Sequence, residues 1–380
     1  MKPIAGGVTA PKGFLANGMY CGIKRSGRFD LALIASEVPA AAAGVFTKNS
    51  IKAAPLLVSM KHLRHRKAQA IIINSGNANC FTGAFGLHYA RQTAKRIAQG
   101  LGIKPQDVVV ASTGIIGKPL PFKKIADATA VLIKGLSRTG GKRAARGILT
   151  TDTCIKEKAF RLRLGGKLIT IGGCAKGSGM IDPSMATMLA FITTDAAVQP
   201  KLLKKALETV TENTFNRITV DGCMSTNDMV TILANGTAGN KTITRTRTEF
   251  HKFCAALESV CLDLAKKIVK DGEGATKFLE IQVCGAKTER QAKRAAKAIA
   301  NSNLVKTAVY GSNPNWGRVA AAVGSLAIPG VTPERLKVKF SPFHKKEVWI
   351  HVDLNIGSHK ATVYTCDLSH EYLRINTKYN

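Results

Sequence analysis

Short apolar runs that end in glycine-rich segments dominate the first half of the chain. Residues 70–73 and 107–111 form such runs; the first leads into the sequence SGNAN and the second into Thr113 and Gly114. Both patterns are typical of buried strands followed by loops. Alternation on either side of the glycine pair at 165–166 predicts a hairpin. We therefore expect this half to consist mainly of strands.

Helical periodicity appears once in the first half, at 122–136, and again in the second half at 200–216 and 253–271. Beyond residue 278 the pattern predicts a β-α-β unit and then three alternating strands. The unit has strands at 278–285 and 305–311 around a helix at 288–302, and the later strands lie near Arg335, Val348 and Val363. The sequence predicts a mixed α/β protein with a carboxy-terminal α/β subdomain from about residue 278.

Composition and cysteine usage indicate an ordinary folded protein. The chain has 380 residues, of which 45% are hydrophobic and 21% charged, which excludes disorder, collagen and coiled coil. The 9 cysteines are odd in number and contain no C-x-x-C spacing, which favours a reducing compartment. The first twenty residues lack the unbroken apolar run of a signal peptide, and no window approaches a membrane span. We expect a cytoplasmic protein without a membrane partner.

A large excess of positive charge is the unusual feature of the composition. The 56 lysines and arginines against 24 acidic residues give +32, and residues 1–186 carry +22 of it. Such an excess of positive charge suggests that the partner is nucleic acid or an anionic substrate. However, the densest run, KHLRHRK at 61–67, has no interleaved aromatic residue, and no nucleic-acid-binding motif occurs. We therefore expect no nucleic-acid partner and interpret most of this charge as a solubilising surface.

The common catalytic motifs are missing, and one threonine remains as a candidate. No HExxH, nucleophile elbow, P-loop or strand-led G-x-G-x-x-G occurs, so we expect neither a metal site nor a nucleotide cofactor. Thr187 follows small, flexible residues and precedes the apolar run MLAFI. A threonine becomes a good nucleophile when its own α-amine takes the hydroxyl proton, which requires a break at Ala186–Thr187. On spacing alone, a threonine that merely starts a strand is the favoured interpretation.

A series of motifs favours the interpretation of Thr187 as a catalytic nucleophile. In chain order they are GGVTAPKGF, GVFTKN, INSGNAN, STGIIG, TTDT, KGSGMIDPSMATMLAFITTDA, TFNRITVDG, STND, LVKTAVYG, NPNWGR and RIN. Together they run from Gly6 to Asn376, and the chain closely resembles the ornithine acetyltransferase family, the glutamate N-acetyltransferases of the cyclic arginine pathway. The resemblance implies a self-cleaving αββα-type layered sandwich. It also implies cleavage between Ala186 and Thr187, giving an α chain of 1–186 and a β chain of 187–380.

The resemblance implies a role for each residue that matches a family motif. Thr187 is the nucleophile, and Thr113 and Gly114 form the oxyanion hole. The implied substrate contacts, besides Thr187 itself, are Thr153, Lys176, Glu273 and Asn376, the last on a strand that returns to the active site. Lys176 suits a substrate carboxylate and Glu273 suits the amine of ornithine.

The sequence departs from the family pattern near the cleavage site and in two later motifs. Asp182 stands where an apolar residue or histidine is usual, close enough to the scissile bond to alter its geometry. Cys223 and Met224 replace an Asp-Thr pair, and Asn313 replaces an aspartate. The two later changes each remove an acidic side chain.

The implied activity is a ping-pong transfer of the acetyl group of N-acetylornithine to glutamate, with the fragments associated as α2β2. No metal or organic cofactor is expected, and acetyl-CoA stays open as a co-substrate. Two alternatives remain: a related self-cleaving amide hydrolase, in which water resolves the acyl-enzyme, and an inactive basic paralogue that binds nucleic acid. Within the main interpretation, the positive field would concentrate anionic substrates.

Overall fold

The computed structural model describes residues 1–182 and 188–378. Within them the chain forms two compact units. The first comprises 1–177, 188–216 and 224–265, and the second comprises 178–182, 217–223 and 266–378. None of the described helices combines the length and apolar character that crossing a membrane requires.

The first unit is built on one long path of hydrogen-bonded strands with helices on both sides. Its strands are β1 (Lys2–Ile4), β2 (Phe14–Met19), β3 (Leu31–Phe46), β4 (Lys67–Asn77), β5 (Val108–Ile115), β6 (Lys156–Leu164), β7 (Lys167–Lys176), β8 (Leu189–Thr194) and β9 (Met229–Ala234). Its helices are α1 (Ala54–His62), α2 (Gly83–Leu101), α3 (Phe122–Lys134), α4 (Gly141–Gly147), α5 (Pro200–Asn213) and α6 (Thr248–Lys270), whose last turn belongs to the second unit.

Strand β3 joins two groups of strands. The order along the sheet is β1-β6-β7-β8-β9-β3-β4-β5, and β2 also pairs with β3. The pairing of β3 with β4 shifts register between Ala35 and Ala40. Before this irregularity β3 pairs with β2 and β4, and after it residues 41–46 pair with β9. Such an irregularity bends a strand, so one strand can serve two layers.

The two groups of strands pack against each other through a common core. Phe14 of β2 and Ile71 of β4 belong to the same buried apolar cluster as Phe191 of β8 and Leu233 of β9. Residues of one sheet face share a cluster with residues of another face only when the two faces are stacked. The first unit therefore has two β-layers with an apolar core between them.

Helices cover the outer face of each β-layer. Leu33, Ile72 and Val110 point away from the inner core and pack against α1, α2 and α3. On the other layer, α5 packs on β3 and β9, and Leu264 of α6 lies so close to Gly173 of β7 that an added Cβ would approach it to 3.2 Å. The order of layers is helix, sheet, sheet, helix, which confirms the predicted αββα sandwich.

Most predicted elements of the first unit are confirmed. The apolar runs at 70–73 and 107–111 lie in β4 and β5, and the hairpin of β6 and β7 turns at 165–166. The 19-residue helix α2 was not predicted. Its buried face consists largely of alanines, at Ala90, Ala94 and Ala98, so its helical period is weak in large apolar residues.

The second unit contains a smaller sheet covered by helices. Its elements are β10 (Phe278–Ala286), α7 (Glu289–Ala300), α8 (Asn303–Tyr310), α9 (Trp316–Gly324), β11 (Lys337–Phe340), β12 (Glu347–Asp353), β13 (His359–Cys366) and α10 (His370–Asn376). The strand order is β11-β12-β10-β13, with β10 and β12 parallel. Alternate residues of β10, including Ile281, share a core with Ala296 and Ile299 of α7.

The predicted strand at 305–311 in the second unit is wrong. Residues 305–311 were expected to be the second strand of a β-α-β unit, but they lie in or directly after helix α8. The apolar positions Val305 and Val309 fit both a strand and one turn of helix. The Ser302 side chain accepts a hydrogen bond from the Val305 backbone N–H and caps the helix, which decides between the two. The three later strands are confirmed as β11, β12 and β13.

Candidate active site

Thr113 and Gly114 lie at the end of β5, where its pairing with β4 becomes irregular. The sequence predicted a loop after residue 111; instead the ladder continues, pairing Thr113 with Ser75 and Gly114 with Gly76. Gly114 has a φ of +131°, and an added Cβ would lie 2.7 Å from the Cα of Gly76. Only glycine fits both the dihedral angle and the close approach of the two backbones.

Lys176 reaches the same strand end from the other β-layer. It is the last residue of β7 and is 7% exposed. Its Nζ donates a hydrogen bond to Oγ1 of Thr113 over 3.3 Å. The sequence assigned Lys176 and Thr113 to different tasks, and the fold brings the two side chains into contact.

A buried carboxylate supports the backbone beside Lys176. Oδ1 of Asp152 accepts hydrogen bonds from Nζ of Lys156 and from the backbone N–H of Gly177, both over 2.7 Å. Oδ2 accepts one from the N–H of Thr150 over 3.0 Å. The side chains of Asp152 and Lys156 have no exposed surface. A paired and hydrogen-bonded charge of this kind fixes the chain on both sides of it.

The charge state of Asp152 follows from its surroundings. Burial alone would raise the pKa of this carboxyl, but the positive charges of Lys176 and Lys156 and the hydrogen bonds that it accepts hold the pKa well below its usual range. Asp152 therefore stays ionised and compensates the positive charge of Lys176. It is the third residue of TTDT, a position to which the sequence alone assigns no role.

Thr153 lines a basic cavity of about 580 Å³ together with Lys24, Arg28 and Arg146. Nζ of Lys24 donates to the carbonyls of Phe29 and Leu149. Burial lowers the pKa of Lys24 to about 8, and the like charge of Lys176 adds to this effect. The carboxylates of Asp30 and Asp152 oppose it. Arg28 and Arg146 form no ion pair with the described acidic residues. The cavity is suited to an anion.

The loop before β9 brings two further polar side chains into the inner core. Nδ2 of Asn227 donates to the carbonyl of Ala78 over 2.7 Å and to that of Ser112 over 2.8 Å. Asp228 is 2% exposed, and its Oδ2 accepts no hydrogen bond from any described residue. Burial raises the pKa of Asp228 well above its ordinary value. The positive charge of Lys176 and several hydrogen bonds, including one from the Met188 backbone, act in the opposite direction and are outweighed.

The predicted nucleophile and scissile bond, Thr187 and Ala186, lie outside the described residues. On the carboxy-terminal side the description resumes at Met188, whose carbonyl accepts a hydrogen bond from the N–H of Met229 over 3.1 Å. Asp228, the residue before Met229, thus lies beside the start of β8 and near Met188, the residue that follows Thr187.

In the second unit, two predicted substrate contacts meet. Nδ2 of Asn376 donates to Oε2 of Glu273 over 2.9 Å, and the N–H of Glu273 donates to the carbonyl of Ser178 over 2.8 Å. Gly179 is the residue that makes room, because an added Cβ would overlap the Glu273 carboxylate. Asn376 was predicted on a strand; it is instead the last residue of helix α10.

The segment before the predicted cleavage site is held by side chains of the second unit. Asp182, one of the departures from the family pattern, forms an ion pair with Lys297 of α7 and accepts a hydrogen bond from Asn301 over 3.2 Å. The carboxylate of Asp221 accepts hydrogen bonds from the N–H groups of Met180 and Ile181. The Asp182 charge is therefore compensated within this unit.

A pair of glycine substitutions separates the strain of a positive φ from the close approach of the two backbones at Gly114. Gly114→Ala should lower the free energy of unfolding by about 1–3 kcal/mol more than Gly117→Ala, because it adds a backbone overlap that cannot relax. Gly117 also has a positive φ, but an added Cβ there would meet nothing within 4 Å. Urea unfolding of both variants checks this, and equal losses would contradict it.

A pH series tests the buried carboxyl of Asp228. Folding raises the pKa of Asp228, so between the unfolded and the folded pKa the carboxyl ionises more readily in the unfolded chain. The free energy of unfolding is therefore highest below the unfolded pKa and falls as pH rises towards the folded pKa. Asp228→Asn, which cannot ionise, should therefore gain stability relative to the wild type between pH 5 and pH 8. The difference in unfolding free energy, measured by urea titration at both pH values, would be constant if Asp228 were not perturbed.

Comparisons with known proteins place the chain in a family. Residues 15–380 match the ArgJ family. The chain is 47% identical to the arginine biosynthesis bifunctional protein ArgJ of Caldanaerobacter subterraneus and 46% identical to that of Symbiobacterium thermophilum, with full coverage of both partners in each case. The crystal structure of ArgJ from Bacillus halodurans is 42% identical, with a TM-score of 0.46, over 48% of this chain and 94% of that one.

A solved ornithine acetyltransferase from Mycobacterium tuberculosis, complexed with ornithine, is also 42% identical, with a TM-score of 0.44, over 47% of this chain and 95% of that one. The matches over the whole sequence confirm the resemblance that the ordered motifs indicate. The chain belongs to the ArgJ family.

Proposed function

We propose that this protein transfers the acetyl group of N-acetylornithine to glutamate in arginine biosynthesis. The chain cleaves itself between Ala186 and Thr187, and the freed Thr187 carries the acetyl group between two half-reactions. The observation that carries the proposal is the contact of Lys176 with Thr113 beside the constrained Gly114, in a chain whose full length matches the ArgJ family.

Each half-reaction is an acyl transfer to a nucleophile. The α-amine of Thr187, with an ordinary pKa near 8, takes the proton as Oγ1 attacks the acetyl carbonyl of N-acetylornithine, and ornithine leaves with a proton on its amine. The neutral amine of glutamate then attacks the acetyl ester, the bond between the acetyl carbon and Oγ1 of Thr187 breaks, and the proton lost by the amine returns to Oγ1 as N-acetylglutamate leaves. Both tetrahedral intermediates carry a negative oxygen, which requires donors that are already in place.

The hydrogen bond to Thr113 supports its role as one of those donors. A hydroxyl has one hydrogen and two lone pairs. Because Nζ of Lys176 already donates to Oγ1 of Thr113, the hydrogen of that hydroxyl is directed elsewhere and can serve the developing oxyanion. The ammonium of Lys176 would strengthen this donation in addition to binding a substrate carboxylate.

Two charged groups suit the two substrates. The carboxylate of Glu273, joined to Asn376, would meet the side-chain amine of ornithine. The basic cavity of Lys24, Arg28, Arg146 and Thr153 would receive a carboxylate of glutamate. A positive field there raises the local concentration of anionic substrates.

The strand order supports association of the two cleavage fragments. Strands β8 and β9, from residues 187–380, lie between β7 and β3, from residues 1–186. Separation would break the sheet on both sides of this pair. We therefore propose that the fragments stay together, as an α2β2 assembly in the cytoplasm, with no metal or organic cofactor. Acetyl-CoA as a second acetyl donor stays a prediction, tested by glutamate-dependent release of free CoA.

Mass spectrometry tests the nucleophile directly. The denatured wild type should give fragments 1–186 and 187–380, and N-acetylornithine without glutamate should add one acetyl group to the second fragment. Thr187→Ala should give one uncleaved chain of 40.5 kDa and no transfer, because it lacks the hydroxyl. Thr187→Ser keeps a hydroxyl and serves as the matched control.

The same experiment separates the alternatives. Free acetate released without glutamate would indicate an amide hydrolase. An uncleaved wild-type chain that binds DNA or RNA with strong salt dependence would indicate the inactive basic paralogue. Either result would contradict the proposed transfer.

Removal of the two guanidinium groups that line the basic cavity tests its role. Arg28→Ala combined with Arg146→Ala should raise KM for glutamate about three- to tenfold, the effect of one or two solvated charge contacts, and leave kcat unchanged. The salt dependence of kcat/KM should weaken in the same variant. Arg96→Ala, an exposed arginine of α2 outside the cavity, is the control; equal effects in both would show that only net charge matters.

A further inference from the structure

The loop of residues Ser225–Asp228 is buried in the first unit and contacts the ends of β4 and β5. All four residues are at most 8% exposed. Oγ1 of Thr47 donates to the carbonyl of Ser225 over 3.0 Å, and the N–H of Ala53 donates to the carbonyl of Thr226 over 3.0 Å. The loop is therefore fixed to the segment after β3.

Asn227 is the residue of this loop that contacts both strand ends. Its Nδ2 has two hydrogens, one for the carbonyl of Ala78, just beyond β4, and one for the carbonyl of Ser112 in β5. Because both partners are carbonyl oxygens, the nitrogen must face them, and the orientation of the amide is determined. Oδ1 accepts a hydrogen bond from Oγ1 of Thr226 over 2.7 Å, which holds the amide plane.

The contact to Ser112 bears directly on the oxyanion position. The carbonyl of Ser112 and the N–H of Thr113 belong to one planar peptide unit, so fixing the oxygen fixes the plane in which Thr113 begins. The second hydrogen bond, to Ala78, ties this plane to the end of β4, against which Gly114 makes its close approach. Asn227 thus restrains the Thr113–Gly114 pair from the backbone, while Lys176 restrains it from the Thr113 side chain.

We infer that Asn227 is a positioning residue for acetyl transfer: its amide holds the end of β5 so that Thr113 and Gly114 meet the oxyanion without rearrangement. The inference rests on the proposed function. Preorganisation is the source of oxyanion stabilisation, so a loss of position lowers kcat even when every donor is still present. Substrate binding depends on other side chains, and KM should stay nearly constant.

The experiment compares Asn227→Ala with Asn17→Ala. Asn17 of β2 is also buried, and its Nδ2 also donates to a backbone carbonyl, that of Leu132, over 2.9 Å. Both variants should lose a similar amount of thermal stability. Asn227→Ala should lower kcat about 100-fold, the effect of losing one oxyanion donor, with KM within about twofold, while Asn17→Ala keeps kcat within about twofold. All rates are expressed per mole of cleaved chain.

A second variant covers the case in which Asn227→Ala fails to fold or to cleave. Thr226→Val removes the hydroxyl that holds the Asn227 amide but keeps the shape of the side chain. It should lower kcat about three- to tenfold, since the amide keeps its donors and loses only its orientation. The rate of single-turnover acetylation of fragment 187–380, measured by mass, should fall by the same factor.

Two results would overturn the inference. One is a wild-type kcat per cleaved chain in Asn227→Ala, or in Thr226→Val where the first variant does not fold or cleave. The other is an equal loss of kcat in Asn17→Ala, which would show a general effect of stability. Failure of the proposed function is recognised separately, because the wild type itself would then form no acetylated fragment.

Discussion

The hydrogen-bonding of a single strand determines the architecture of the first unit. Before its irregularity at residues 35–40, β3 pairs with β2 and β4; after it, β3 pairs with β9. The two β-layers are thus continuous through one backbone, and their inner faces must stack on each other. The site depends on this stacking, because Thr113 lies near the end of a strand of one layer and Lys176 is the last residue of a strand of the other.

Buried polar side chains of the first unit hydrogen-bond to backbone groups close to Lys176 and Thr113. Asp152 accepts hydrogen bonds from the N–H groups of Gly177 and Thr150, and Asn227 donates to two carbonyls. Each side chain satisfies buried backbone groups, and such side chains are costly to remove. The same groups orient Lys176 and Thr113, so the fold and the proposed chemistry depend on the same hydrogen bonds.

Regular elements with strong periodicity were predictable from the sequence, and contacts between distant strands were not. Strands β4, β5 and β8 and helices α3, α5 and α7 follow from apolar runs and amphipathic spacing. Helix α2, whose buried face is mainly alanine, gives little signal, and α8 fits two periods equally well. Thr113 and Gly114 were expected in a loop because a glycine in a strand is usually a break; here it permits the close approach of β4.

Some residues of the site could be predicted from the sequence, and others could be found only in the structure. Motif resemblance supplied Thr113, Lys176 and Glu273, but Asp152, Asn227 and Asp228 lay unassigned inside the motifs TTDT and STND. Their roles depend on backbone atoms of strands that are far away in sequence, and a backbone carbonyl leaves no trace in residue identity. Burial of a polar residue was the signal that could have found them, and it becomes visible only when the layers are assembled.

The position of β8 and β9 in the sheet delays completion of the fold during synthesis on the ribosome. Strands β1 to β7 are synthesised first, yet β7 and the last part of β3 become neighbours only through β8 and β9. Until residue 234 has left the exit tunnel, the earlier strands present two open edges and an uncovered inner face. The nascent chain therefore has a long interval of exposure, in which chaperones that shield strand edges would have most effect.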